Sequence, residues 1–209
     1  MKLITFLLAA LLGTASASTI NLSSSATNTS NSSSSGTVDI ERNPSWAPAL
    51  PGSHWVSFAS TGNPAAQGYL VLPNETVVTF SQSFDLDAPV TAASLSVMAD
   101  DTTSVILNGT LIYAATSLGV DGYPLCSKQA IGCLTSTGKD FDLTDLQSAF
   151  KIGSNTLSFG VVQKNFVSFG LDYAGSIATA PEPLSYGLIG VGLASFSLLR
   201  RVRRCTTAS

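Results

Sequence analysis

The sequence predicts an all-β protein, an antiparallel β-sandwich with one short helix, and three observations carry that expectation. Between Val38 and Tyr173, apolar residues recur with a period of two in short runs, the signature of half-buried strands. Turn residues punctuate the runs, and Asn108-Gly109 is the strongest two-residue hairpin signal a sequence offers. Charged residues make up only 11% of the chain, and Ser, Thr, Gly and Val abound, as in secreted β proteins.

The chain opens with a processing segment. Lys2 gives a positive start, Leu3 to Leu12 an apolar run, and Ala15-Ser16-Ala17 a small-residue cleavage site, so residues 1–17 read as a secretory signal peptide. An apolar run of about ten residues is too short to span a bilayer. Residues 18–37 are almost entirely Ser, Asn and Thr. Such a stretch has little apolar surface to offset the entropy of ordering, so a flexible leader is expected there. Its Asn-x-Ser/Thr sequons, with those at Asn74 and Asn108, are what this composition yields by chance.

The sandwich domain is expected over 38–179. Strands are expected at Trp55 to Phe58, Gly68 to Leu72, Val77 to Phe84, Thr91 to Met98, Val105 to Leu107 and Leu111 to Tyr113. Asn155 to Gln163 and Phe166 to Tyr173 read as a closing pair joined at Lys164-Asn165. The helix is expected over Leu143 to Lys151, where Leu143, Leu146, Ala149 and Phe150 keep helical spacing. Asp142 or Thr144 can cap it, and Gly153 stops it. Eight or so short strands with one short helix imply a β-sandwich.

The last thirty residues form a sorting and anchoring device. Pro181-Glu182-Pro183 leads into an apolar segment, Leu184 to Leu199, followed by Arg200, Arg201, Arg203 and Arg204. Sixteen apolar or small residues at about 1.5 Å each fall just short of a hydrocarbon core of about 30 Å. Ala180 and Val202 extend the run, and the arginines can snorkel to the interface. The basic cluster keeps the C-terminus cytoplasmic and everything upstream outside.

That order of motif, glycine-bearing apolar helix (Gly187, Gly190, Gly192) and arginine cluster resembles the PEP-CTERM sorting domain of Gram-negative bacteria. The resemblance covers 180–209. It implies recognition by an exosortase, a membrane-embedded cysteine transpeptidase, after signal peptidase has acted at the other end. The product then leaves for the cell surface or an exopolysaccharide matrix. Cys205 to Ser209 trail beyond the arginines, where the family usually stops. An ordinary C-terminal anchor is the alternative reading.

With both ends set aside, residues 18–180 hold Arg42 and four lysines against twelve carboxylates, a formal charge of −7, where the whole chain carries −3. So acidic a domain cannot neutralise phosphates, which argues against nucleic acid and anionic lipid as partners.

A second resemblance lies in the middle. Ala99-Asp100-Asp101 is followed by a strand and Asn108-Gly109, and later by Gly153-Ser154-Asn155-Thr156-Leu157 and a strand carrying Asp172-Tyr173. The pattern, over roughly 57–173, is similar to the galactose-binding-domain-like jelly roll of bacterial carbohydrate-binding modules and their non-binding relatives. Asp100 and Asp101 read first as turn residues that accept backbone N–H bonds. Alternatively, Asp85, Asp87, Asp100 or Asp101 supply oxygens to a structural calcium, the only cofactor considered, although no EF-hand-like loop is present.

A sugar site needs aromatic platforms. Trp46, Trp55, Tyr69, Tyr113, Tyr123, Phe166 and Phe169 qualify by type, but Trp55, Phe80, Phe84 and Phe159 sit in strand patterns and read as core. Tyr113 and Tyr123, near loops, are the ligand-binding candidates. Cys126 and Cys133, with six residues between them in a Gly/Ser/Pro-rich loop, read as a disulfide in an exported protein, worth on the order of 2–3 kcal/mol at best. His54 is the only histidine, which leaves a zinc site or a Ser-His-Asp set without support. Carboxylate pairs such as Asp85/Asp87 or Asp140/Asp142 read as solvated turns before they read as glycosidase acids and bases. No catalytic residue is assigned.

The expectation is therefore an exported, non-enzymatic component of the cell surface or extracellular matrix. It would be membrane-anchored until processed, with signal peptidase, an exosortase and polysaccharide as partners. The alternative is a carbohydrate-binding module with a loop-side ligand site, stabilised by calcium.

Overall fold

A computed structural model describes residues 17–33, 35–115, 131–164 and 166–180. Residues 1–16 of the signal peptide, the Pro181-Glu182-Pro183 motif, the apolar tail and its four arginines lie outside the described residues, as do Tyr123 and Cys126. Residues Ser18–Ala180 form one compact unit.

The unit is nearly all β, as predicted. Eleven strands lie among the described residues: β1 (Thr19–Ser23), β2 (Ser30–Asn31), β3 (Val38–Asp39), β4 (Val56–Ser57), β5 (Val77–Leu86), β6 (Val90–Asp100), β7 (Thr102–Leu107), β8 (Thr110–Tyr113), β9 (Lys139–Asp142), β10 (Gly153–Val162) and β11 (Gly170–Thr179). Two antiparallel sheets result. One runs β3-β4-β11-β6-β9, with β1 also on β11, and the other runs β2-β5-β10-β7-β8.

Alternation puts the core between the sheets. On β5, Val78, Phe80, Gln82, Phe84 and Leu86 are buried while Val77, Thr79, Ser83 and Asp85 face out. On β10, Asn155, Leu157, Phe159 and Val161 turn inward. Phe159 of one sheet stacks on Tyr173 of the other at 4.5 Å between ring centres, and Phe80 meets Phe169 at 6.4 Å. The second half of β6 is buried on both faces, because Met98 packs beneath a smaller cluster of Trp46, Ala47, Trp55 and Cys133. At the β7–β8 hairpin Asn108 and Gly109 both take positive φ (51° and 84°), the geometry a two-residue hairpin turn demands.

Four expectations need correction. Residues 18–37 are not a flexible leader, since β1 pairs with β11 from Thr19↔Ala178 to Ser23↔Ala174, and β2 pairs with β5. Leu22 enters the core, and the hydroxyls do locally what apolar area does elsewhere. Ser24 Oγ accepts the Tyr173 N–H at 3.1 Å, and Thr29 Oγ1 shares a hydrogen bond with the Tyr173 hydroxyl at 2.8 Å. The folded unit thus starts at Ser18, not Val38.

Gly68 to Leu72 forms turn and loop, held by hydrogen bonds such as Leu70 N–H to Ser60 O at 2.8 Å. The final two strands do not pair. β10 lies between β5 and β7 while β11 lies in the other sheet, so residues 163–169 cross between the sheets. The helix is a 3-10 turn, Thr144–Ala149, with a break at Leu146. Asp142 does meet its start, accepting from Thr144 N–H at 2.9 Å.

Candidate functional site

The long strands give the sandwich two ends. At one lie the β5–β6 turn and the 3-10 helix. At the other lie the step from β6 to β7, the crossing at 163–169 and the loop from Ile40 to Leu50. That second end holds the unit's most unusual chemistry, two adjacent buried acids at the close of β6.

Asp100 and Asp101 are 1% and 2% exposed, and the peptide bond between them is cis. Asp100 sits opposite Gly170 on β11. Its Oδ2 accepts from Trp46 Nε1–H at 2.7 Å. Trp46 reaches it because Gly170 has no side chain: a Cβ there would stand 3.0 Å from the indole ring. Asp101 Oδ2 accepts the backbone N–H of Lys164 from the crossing segment. Two further atoms of the corner are buried and make no hydrogen bond among the described residues, Asp100 Oδ1 and Thr102 Oγ1.

The surrounding loop is tied down by its own polar groups. Arg42 Nη1 donates to three carbonyls, the shortest that of Trp46 at 2.6 Å. Asn43 Nδ2 donates to Ser168 Oγ at 2.8 Å, which in turn donates to Gly62 O at 2.7 Å. Trp46 packs on Trp55 at 4.4 Å, and Trp55 Nε1 donates to Ala47 O at 3.1 Å.

Electrostatics at Asp100 are severe. Burial pushes its carboxyl well above the usual carboxylate range, the charge of the neighbouring Asp101 and a side-chain hydrogen bond between the two acids push the same way, and only the Trp46 bond opposes them. The corner therefore attracts positive charge, whether a proton or a cation.

Asp172 on β11 is the contrast. Its Oδ1 accepts from Ser24 Oγ at 2.9 Å and from Ser53 Oγ, and its Oδ2 accepts Leu50 N–H at 2.8 Å. Burial still raises its pKa, against the pull of those donors and of nearby His54. Asp172 is a structural knot, binding the N-terminal segment and the 50–53 loop to the central strand.

The four sequence-predicted calcium candidates are not brought together. Asp85 points outward from β5 and Asp87 sits in the following turn. β6, eleven residues or roughly 35 Å long, separates them from Asp100 and Asp101. Among the described residues, no group of three or more His, Cys, Asp or Glu side chains is placed to hold a metal. Asp100 and Asp101 with the Thr102 hydroxyl do make a set of hard oxygen donors, the type calcium prefers.

Tyr113 on β8 is half-buried. Its ring meets Phe141 of β9 edge-on at 5.8 Å, and Lys139 Nζ stands 4.8 Å from its centre. The two aromatics thus join the edge strands of opposite sheets. Trp46, Trp55 and Phe169 are buried, Tyr69 is half-buried, and Phe166 is exposed beside the crossing. Asp140 and Asp142 are exposed on β9, where Asp140 accepts from Ser96 Oγ and bonds from Thr144 hold Asp142 below the usual range. Cys133 is fully buried, and its carbonyl accepts Ala47 N–H at 2.9 Å.

Sequence reasoning missed Trp46, Thr102 and the Lys164 amide as neighbours of the acid pair. Trp46 and Asp100 stand 54 residues apart, and no local signal links them.

No protein-family model matches the chain, and no curated protein matches it. Among solved structures it is similar to a native family 35 carbohydrate binding module from Clostridium thermocellum. That match has 11% identity and a TM-score of 0.38, over 75% of this chain and 97% of the module. It is also similar to part of an alpha-L-rhamnosidase from Streptomyces avermitilis, solved with L-rhamnose. There the identity is 21% and the TM-score 0.43, over 70% of this chain and 12% of the enzyme.

Proposed function

We propose that the chain is an exported, non-enzymatic protein of the cell surface or exopolysaccharide matrix, and that the Asp100–Asp101 end of its sandwich is where it meets carbohydrate. The observation that carries the reading is the buried acid pair with Asp100 Oδ1 and Thr102 Oγ1 left without hydrogen bonds among the described residues. Two adjacent buried acids cannot both ionise cheaply, so a proton held between Asp100 and Asp101 relieves one charge, and a cation in its place relieves both. A hard cation would do so, held by Asp100, Asp101 and Thr102. Calcium takes six to eight oxygens, so water or sugar hydroxyls would complete its shell.

Export rests on the two ends of the chain. The compact unit, Ser18–Ala180, starts where the signal peptide reading stops and ends where Pro181 begins. In this reading signal peptidase and an exosortase-type transpeptidase process the protein, and a Cys126–Cys133 disulfide staples the loop after β8 in an oxidising compartment.

The test uses the folded unit. Calcium chloride, then neutral and acidic polysaccharides, are titrated into residues 18–180 and unfolding is followed. Calcium at a hundredfold over its Kd adds about 2.7 kcal/mol of stability. The gain should vanish in Asp100→Asn and Asp101→Asn. No shift with calcium and no retention on any polysaccharide would remove the carbohydrate reading. Recovery of the full-length chain from the cytoplasm alone would remove export.

A further inference from the structure

The two ends of the folded unit are held side by side. Ser18 O accepts Thr179 N–H at 2.9 Å, Thr19 faces Ala178, and Ala180 N–H donates to Pro89 O at 2.8 Å. Thr179 is buried and also pairs with Val90 on β6. The backbone donors of Thr179 and Ala180 are thus both spent inside the sandwich at this corner.

The stretch beyond Ala180 is short and poor in donors. Between Ala180 and the apolar Leu184 stand only Pro181, Glu182 and Pro183. Proline has no N–H, so Glu182 supplies the single backbone donor of that stretch. An enzyme that grips an extended peptide through its main chain, as strand-adding clefts do, finds one amide where it needs several. It must read the Glu182 carboxylate and the two rings, or draw Thr179 and Ala180 out of the ladder.

We infer that the paired ends act as a clamp on C-terminal processing. They confine the cut to bonds beyond Ala180, and they slow it, because cleavage waits on opening of the last residues of β11. This rests on reading the tail as a processed sorting segment. Its physical basis is that peptide bonds in a hydrogen-bonded ladder are cut from a transiently opened state. The β1 strand is part of the clamp, so the N-terminal residues that look like a leader govern release at the other end.

The experiment follows the full-length chain in its native host by pulse-chase, with intact mass on the released product. A second chain carries Gly-Ser-Gly-Ser between Ala180 and Pro181, which leaves the sandwich and the motif whole and puts free amides between them. The clamp predicts that the original product ends at Pro181, Glu182 or Pro183, and that the insert speeds release several-fold. Equal rates would overturn it, and so would a product ending upstream of Ala180, although the tail reading would survive either result. Retention of residues 184–209 in both chains would overturn the clamp and the tail reading together.

Discussion

Asp100 and Asp172 are both buried carboxyls on neighbouring strands, and their surroundings set them apart. Asp172 is met by two hydroxyls and an amide, whereas Asp100 has one indole donor and a second acid beside it. The pH consequence for Asp100 has a definite sign. Its folded pKa lies above the unfolded value near 3.8, so the native state binds the extra proton. That contribution is fully present below the unfolded pKa and is lost as pH rises through the folded one. Without calcium, the unit should therefore lose stability as pH climbs from about 4 toward neutrality. Asp100→Asn keeps an acceptor for Trp46 and carries no charge, so it should reduce that slope to the share that Asp172 contributes, as read by urea midpoints at several pH values. An unchanged slope would place the ionising group elsewhere.

At the scale of elements, β1 matters most because composition hides it. Leu22 is buried within a stretch of Ser, Asn and Thr, and Leu22→Ala should cost about 2–4 kcal/mol in urea unfolding of residues 18–180. A cost near zero would return the stretch to the status of a leader. The alternating strands β5, β6, β7 and β10 were legible because the period of side chains records which face is wet. The Asn108-Gly109 turn was legible because few other pairs accept its φ angles. β1 was not, since Ile20 and Leu22 alone give too little pattern. Its ordering comes from hydroxyls such as that of Ser24, which donates to Asp172 and accepts the N–H of Tyr173, 148 and 149 positions away. The crossing from β10 to β11 failed for a related reason. A Lys-Asn pair between two apolar runs signals a turn, and says nothing of whether the chain returns to the same sheet. Of the candidate site, the acids could be named from sequence. That Asp100 would lie under an indole while Asp85 stayed in solvent depended on tertiary register.

On the scale of the whole molecule, charge and burial divide the labour. The outward faces of the long strands carry mostly Ser and Thr, such as Thr79, Ser81, Ser83 and Ser158, while the paired buried acids sit at one end. β11 is the axis of this arrangement, hydrogen-bonded to β1, β4 and β6. Its first residue, Gly170, lies beside Asp100, and its last, Thr179, beside Ser18.

That placement has a mechanical consequence. If the protein is tethered through Ala180 and holds a polymer at the Asp100 end, tension enters at one end of β11 and leaves at the other, across ten residues or about 33 Å. Force along the strand axis loads the hydrogen bonds of both flanking ladders in parallel, so they must fail together in shear. Pulling on Ser18 and Ala180, by contrast, peels β1 from β11 one bond at a time like a zipper. Single-molecule stretching between residue 101 and the C-terminus of the unit should thus give rupture forces well above those for stretching between its two ends. Equal forces would mean that β11 does not carry the strain.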